Sequence, residues 1–234
     1  VAMESLPYGR VETFLEQGIA QQCAPVLMGV KPAGMFNVVR YHQVGTRPCG
    51  KPIMAQAARE QIELAVERAD NTLREAGVRL RVMAHRKGSS MVFVWRPDLM
   101  RAFIGRDPEA TMLEVEGYDV DNDEACVDRL QTRVLSFDAR PRNPDGTDRF
   151  PHEVGFLLGY PVDDVMGFVR DRAATLARGW WNVYSDVERA QRVFRAYDAC
   201  ATLADQRMCE GDTLVSLSSS LANLAASKAL ALYR

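Results

Sequence analysis

Histidine is scarce in this chain. There are three, and one of them, His152, stands in the run Phe150-Pro151-His152-Glu153-Val154-Gly155-Phe156-Leu157-Leu158-Gly159-Tyr160-Pro161. Pro151 suits the first position of a helix, which places His152 and Glu153 in its first turn. The helix dipole there keeps an imidazole neutral, able to act as a base or a ligand. Glu153 favours the same dipole and can accept backbone N–H bonds, so capping alone accounts for it. Cys23 is a second candidate, with Lys31 downstream as its cation. A thiol becomes a nucleophile when a cation or a helix N-terminus lowers its pKa. Cys23 instead follows the end of a helix predicted over Arg10–Gln22, where the dipole raises the pKa. A small buried residue is therefore the simpler reading of Cys23. Lys31 could hold an anion. Phe36, Phe150 and Phe156 would give a cleft an apolar lining, with Lys31, His152 and Glu153 as polar handles. The expectation is one shared cleft between the His152 region and the segment Cys23 to Phe36, both being turns beside Pro and Gly.

Other signals are weaker. Asp119-Val120-Asp121-Asn122-Asp123-Glu124 imitates a calcium loop, but Glu124 stands where glycine is needed and Leu130 where a bidentate Glu is needed. It reads as a solvated acidic turn, and no metal is expected. Asp163 and Asp164 suit the first turn after Pro161. Arg79, Arg81, Arg86 and Lys87 form a basic strand and turn, and Arg140, Arg142 and Arg149 a basic loop, either of which suits phosphate or an acidic partner. Trp95 and the Trp180-Trp181 pair offer stacking faces, although aromatics inside strands are usually core. Nucleotide, hydrolase and zinc motifs are missing, so no cofactor is implied.

The elements that must carry these residues can be read from periodicity. Pro25–Val30 and Met35–Tyr41 read as short strands, joined by a turn at Pro32-Ala33-Gly34. Pro52–Ala76 is the clearest helix, with Met54, Ala58, Ile62, Val66, Ala69, Leu73 and Ala76 on one stripe and Gly77 as its left-handed stop. Val78–His85 alternates as a half-buried strand, with Val78, Leu80, Val82 and Ala84 on its apolar side. Met91–Trp95 is apolar on both faces and reads as a central strand, joined to it by a hairpin at Lys87-Gly88-Ser89. Helices follow at Pro97–Ile104, after Asp107, and at Asp123–Leu135, the last burying Cys126, Val127, Leu130 and Val134. The loop 137–150 holds two prolines, Pro141 and Pro144, and is the one candidate internal boundary.

Short helices are expected at Pro151–Leu158 and Pro161–Arg172, and an aromatic strand at Trp180–Tyr184. Ser185 and Glu188 read as a capping box opening a helix that buries Val187, Ala190, Phe194, Tyr197 and Ala201. The final helix, Asp212–Tyr233, carries Leu214, Leu217, Leu221 and Leu224 on one stripe. It suits packing inside the chain, with oligomerisation through this helix as the alternative.

Three blocks carry a family resemblance. They are Cys23-Ala24-Pro25 through Gly29, Lys31 and Phe36; His152-Glu153 through Pro161; and Gly179-Trp180-Trp181-Asn182-Val183-Tyr184. In these words the chain resembles a bacterial family known only as domain of unknown function family 3793. The resemblance implies relatives without implying an activity.

Bulk properties set the remaining limits. The chain has 234 residues, 47% hydrophobic and 26% charged, with net charge −2. That is a globular composition with no positive field for nucleic acid or an anionic membrane. Five scattered cysteines without a Cys-x-x-Cys pair favour a reduced, cytoplasmic interior. The opening residues Val1-Ala2-Met3-Glu4-Ser5 show no leader pattern, and the longest apolar stretch is too interrupted for a membrane span. The expected fold is α+β, a single domain over residues 1–234, with a small mixed or antiparallel sheet packed by about eight helices. The expected function is a cytosolic binding or accessory protein for a small ligand, cofactor or protein partner. The alternative is an enzyme using His152 as acid/base, helped by Glu153, Lys31 or Cys23.

Overall fold

Three strands organise the molecule. The structure, a computed structural model, describes residues 8–39, 52–86, 88–140 and 150–219. Strand β3 (Ser89–Trp95) lies at the centre, with β1 (Ala33–Val39) and β2 (Arg79–Arg86) antiparallel on either side. Met91–Trp95 is apolar on both faces because both faces are covered. Val92 and Val94 join Phe36, Val38 and Leu80 in one core, under α1 (Tyr8–Gln22), α2 (Ala24–Leu27) and α3 (Pro52–Leu73). Met91, Phe93 and Trp95 join Ala33, Met83 and Ala84 in a second core, under α4 (Pro97–Ile104), α5 (Glu109–Val115), α6 (Asp123–Ala139) and α7 (Val154–Leu157).

The C-terminal part adds α8 (Val162–Arg170), a two-stranded hairpin of β4 (Ala177–Arg178) and β5 (Asn182–Val183), α9 (Val187–Cys209) and α10 (Leu214–Ser219). A third apolar cluster joins Leu99 and Phe103 of α4 to Trp181, Val183 and the α9 residues Ala190, Val193 and Tyr197. The fold is therefore α+β, with ten α-helices among the described residues and a small antiparallel sheet.

Several local expectations are corrected. Pro25–Val30 is not a strand: Ala24–Leu27 is a helical turn with Pro25 in its first turn, where a missing N–H costs nothing. A short apolar run cannot by itself distinguish buried helix from buried strand. The turn falls earlier than Pro32, at Gly29 with φ 67°, and Val30 and Lys31 both donate their N–H to the Pro25 carbonyl. The alternation in β2 breaks at a bulge between Val82 and Ala84, so Met83 and Ala84 both enter the second core.

The capping box is also wrong. Asp186, not Ser185, caps α9, accepting from the Arg189 N–H, and the buried stripe runs Ala190, Val193, Tyr197, Cys200, Ala204. Glu153 makes no side-chain cap on α7, which starts one residue later. The aromatic strand is reduced to Asn182–Val183. Of the final helix only Leu214–Ser219 is described, and Leu214 and Leu217 are buried in the first core. Most of the loop 137–150, the turn residue Lys87 and residues 220–234 lie outside the described residues, as do Cys49, Arg142 and Arg149.

Candidate functional site

The three blocks that carry the family resemblance meet around one side chain. Lys31 leaves the turn after α2 and is only 5% exposed. Its ammonium lies 5.3 Å from the ring centroid of Tyr160, 5.5 Å from Tyr197 and 5.7 Å from Trp180. Each ring reaches this box by a separate route. Tyr160 follows Gly159, which has φ 77° and packs so closely on Pro32 that a Cβ would fall 2.6 Å from the proline ring. Trp180 sits in the β4–β5 turn and donates its indole N–H to Asp198 at 2.9 Å. Tyr197 comes from the middle of α9.

The neighbouring Trp181 stacks on Tyr160 at 5.2 Å. Its indole N–H donates to the buried carboxylate of Asp164 at 2.7 Å, and Asp164 also accepts from the N–H of Tyr184 and from the N–H and hydroxyl of Ser185. Asp164, expected only to favour a helix dipole, is thus the hub that fixes the Trp181–Ser185 segment.

Burial pushes the Lys31 amine down to about 8, with Cys23 acting in the opposite sense. Burial pushes the Cys23 thiol up to about 12, and Lys31 pulls against it. At neutral pH the pair is therefore an ammonium and a thiol, not an activated thiolate. A desolvated cation gains about 2 kcal/mol from an aromatic face, against a desolvation cost of several kcal/mol for the ion. The rings favour the charged form of Lys31 without making its burial favourable. The Tyr197 hydroxyl is buried with no hydrogen-bond partner among the described residues.

The other sequence candidates sit in different surroundings. Glu153 is 6% exposed, pairs with Arg133 and accepts from the Tyr118 hydroxyl at 3.2 Å. Burial and the Glu153 carboxylate hold that phenol well above its usual value. His152 is half-buried, with its ring edge-on to Phe168 of α8 at 6.0 Å. Phe36 faces α1, so close that a Cβ on Gly18 would meet its ring at 2.6 Å. The Cys23–Phe36 and Pro151–Pro161 segments do meet, through Pro32 and Gly159 and through Lys31 and Tyr160.

A second feature lies on the same segment, at the outer edge of β1. The Arg96 N–H donates to the Pro32 carbonyl, in register with the β1–β3 ladder. Hydrogen-bonded and non-bonded pairs alternate along an antiparallel ladder, so Gly34, Phe36 and Val38 bond inward and Met35 and Asn37 direct their N–H and C=O outward. Among the described residues no other element bonds to these outward groups. Beside them runs a shallow groove of about 170 Å³ between α1 and β1. Gly18 and Phe36 form its floor and Gln17, Gln21, Gln22 and Asn37 its rim, and no charged side chain lines it among the described residues.

The family described as protein of unknown function, DUF3793, matches residues 19–218, and the chain belongs to that family. No curated protein and no solved structure matches the chain. No helix among the described residues is long and apolar enough to cross a membrane.

Tyr160 and Trp180 stand in the quoted blocks, but nothing in their spacing marked them as partners of Lys31. Tyr197 carried only a helical core pattern. A strand at Met35–Tyr41 was legible in the sequence, but its start at Ala33 and its position at a sheet edge were not.

Proposed function

We propose that this protein is a binding or accessory protein, and that its contact surface is the outer edge of β1 with the adjoining α1 groove. The observation that carries this reading is the pair of outward backbone positions, Met35 and Asn37, which no other element bonds among the described residues, beside a groove whose described lining is uncharged. An exposed strand edge is a ready template for another strand, and peptide recognition by strand addition uses such edges. The alternative, an acid–base His152, has its nearest helper committed elsewhere, since the Glu153 carboxylate is held by Arg133 and Tyr118. Cys23 is held as a thiol.

The test uses an uncharged extended probe, acetyl-Thr-Val-Thr-Val-Thr-amide, titrated into the protein and followed by amide NMR shifts. Movement is expected at Gly18, Phe36 and Asn37, and a probe N-methylated on every residue should not bind. Unmoved resonances at these positions would overturn the reading.

A further inference from the structure

The two edges of the three-stranded sheet are finished differently. On β2 the ladder alternation turns Leu80 and Val82 outward, and both are capped by side chains. The Leu80 N–H donates to Asp70 at 2.8 Å, and the Val82 carbonyl accepts from Gln131 at 2.8 Å. That strand also carries Arg79, Arg81 and Arg86 and a bulge. Charges, bulges and capped backbone groups are the devices by which natural sheets prevent edge-to-edge pairing. Among the described residues β1 shows none of them. Ala33-Gly34-Met35-Phe36-Asn37-Val38-Val39 has no charge and no proline, and it pairs with β3 in unbroken register.

We infer that β1 pairs with β1 of a second copy of this chain, antiparallel about a twofold axis at Phe36. This inference rests on the binding reading above and names the partner. The outward positions are self-complementary in that register. With Phe36 on the axis, Met35 faces Asn37 of the second copy, and each such pair can exchange both of its backbone hydrogen bonds. The charge pattern favours a copy over a foreign peptide. A twofold contact sets groups near the axis against their own image, where a charge would oppose itself. The rim residues Gln17, Gln21, Gln22 and Asn37 are carboxamides, which donate and accept equally well and can meet their own copies.

The test is sedimentation velocity over a range of concentrations, on the full chain and two variants. Asn37→Pro removes an outward N–H without touching the β1–β3 ladder, which an edge strand tolerates. Asn37→Lys places a charge diagonally across the axis from its own image and serves if the proline variant fails to fold. The parent chain should sediment as a dimer that dissociates on dilution, and excess probe peptide should convert it to monomer. Both variants should sediment as monomers with the parental melting temperature. A dimer that persists in folded variants would overturn the inference, since the interface would then lie elsewhere. A parent that stays monomeric while the probe still moves Gly18, Phe36 and Asn37 would overturn the second copy as partner and leave strand addition standing. A monomeric parent that also ignores the probe would remove both.

Discussion

β2 and the segment Lys31–Val39 border the same central strand, yet they handle polar groups in opposite ways. Along β2 every arginine meets a carboxylate. Arg79 bonds to Asp70 and Glu124, Arg81 to Glu124 and Asp128, and Arg86 to Asp138. What reads in sequence as a basic patch for phosphate is a set of ion pairs to α3 and α6. Along Lys31–Val39 the single cation meets aromatic faces instead of a carboxylate, and the strand that follows carries no charge. Charge on β2 is matched within the chain and closes that edge. The β1 edge carries no charge and meets no partner among the described residues, and Lys31, the cation that precedes it, is sealed inside. A sheet with one closed and one open edge has a direction in which it can grow.

The largest expected effect tests whether inward and outward positions of β1 differ. Phe36→Pro removes an inward N–H bonded toward Val92 and deletes a buried ring. The ring alone is worth about 3–5 kcal/mol, so the variant should show no cooperative melt. Asn37→Pro, one position along, should melt like the parent. Equal damage from both would mean that the assigned alternation is wrong.

A smaller effect is expected on the closed side. Asp70→Ala removes the acceptor shared by Arg74, Arg79 and the Leu80 N–H, at a cost of about 2–3 kcal/mol in urea unfolding. Burial raises the Asp70 pKa, but the hydrogen bonds from Arg79, Leu80 and Arg74 outweigh it and hold the carboxyl below its usual value of 3.8. The stability this provides is present above that value and is lost as pH falls through the lowered folded pKa. The variant should lack this acid-dependent loss. An unchanged acid limb in the variant would remove Asp70 from the account.

The smallest effect concerns Lys31 and is best read through pH. Its folded pKa of about 8 lies below 10.5, so between these values the unfolded chain binds more protons and stability rises with pH. Cys23 acts in the opposite sense. Its folded pKa of about 12 lies above 9.0, so its contribution is intact below 9.0 and is lost as pH rises toward 12. The urea midpoint should therefore rise from pH 8 to 9, level off, and fall above 10.5. Lys31→Met keeps the volume, removes the buried charge, and should be neutral or stabilising by about 1 kcal/mol at pH 7. It should also abolish the rise. A variant that is strongly destabilised at pH 7 would show that the ring contacts outweigh the burial cost.

The sequence by itself determined the elements whose signal is local. The stripe of Pro52–Ala76 produced α3, the doubly apolar Met91–Trp95 produced the central strand, and Pro97–Ile104 produced α4. It also determined that Lys31 belonged to a special segment, because the family wording surrounds it. Tertiary structure decided what that segment does. Only packing brought Tyr160, Trp180 and Tyr197 to Lys31, since the three rings are far apart in sequence and no periodicity links them. Only packing made Asp164 and Asp123 buried acceptors, for Trp181 and Trp95, where the sequence offered dipole and solvent. And only the strand order made Ala33–Val39 an edge. An uncharged strand reads alike at the centre of a sheet or at its margin, because the difference lies in the neighbour beside it.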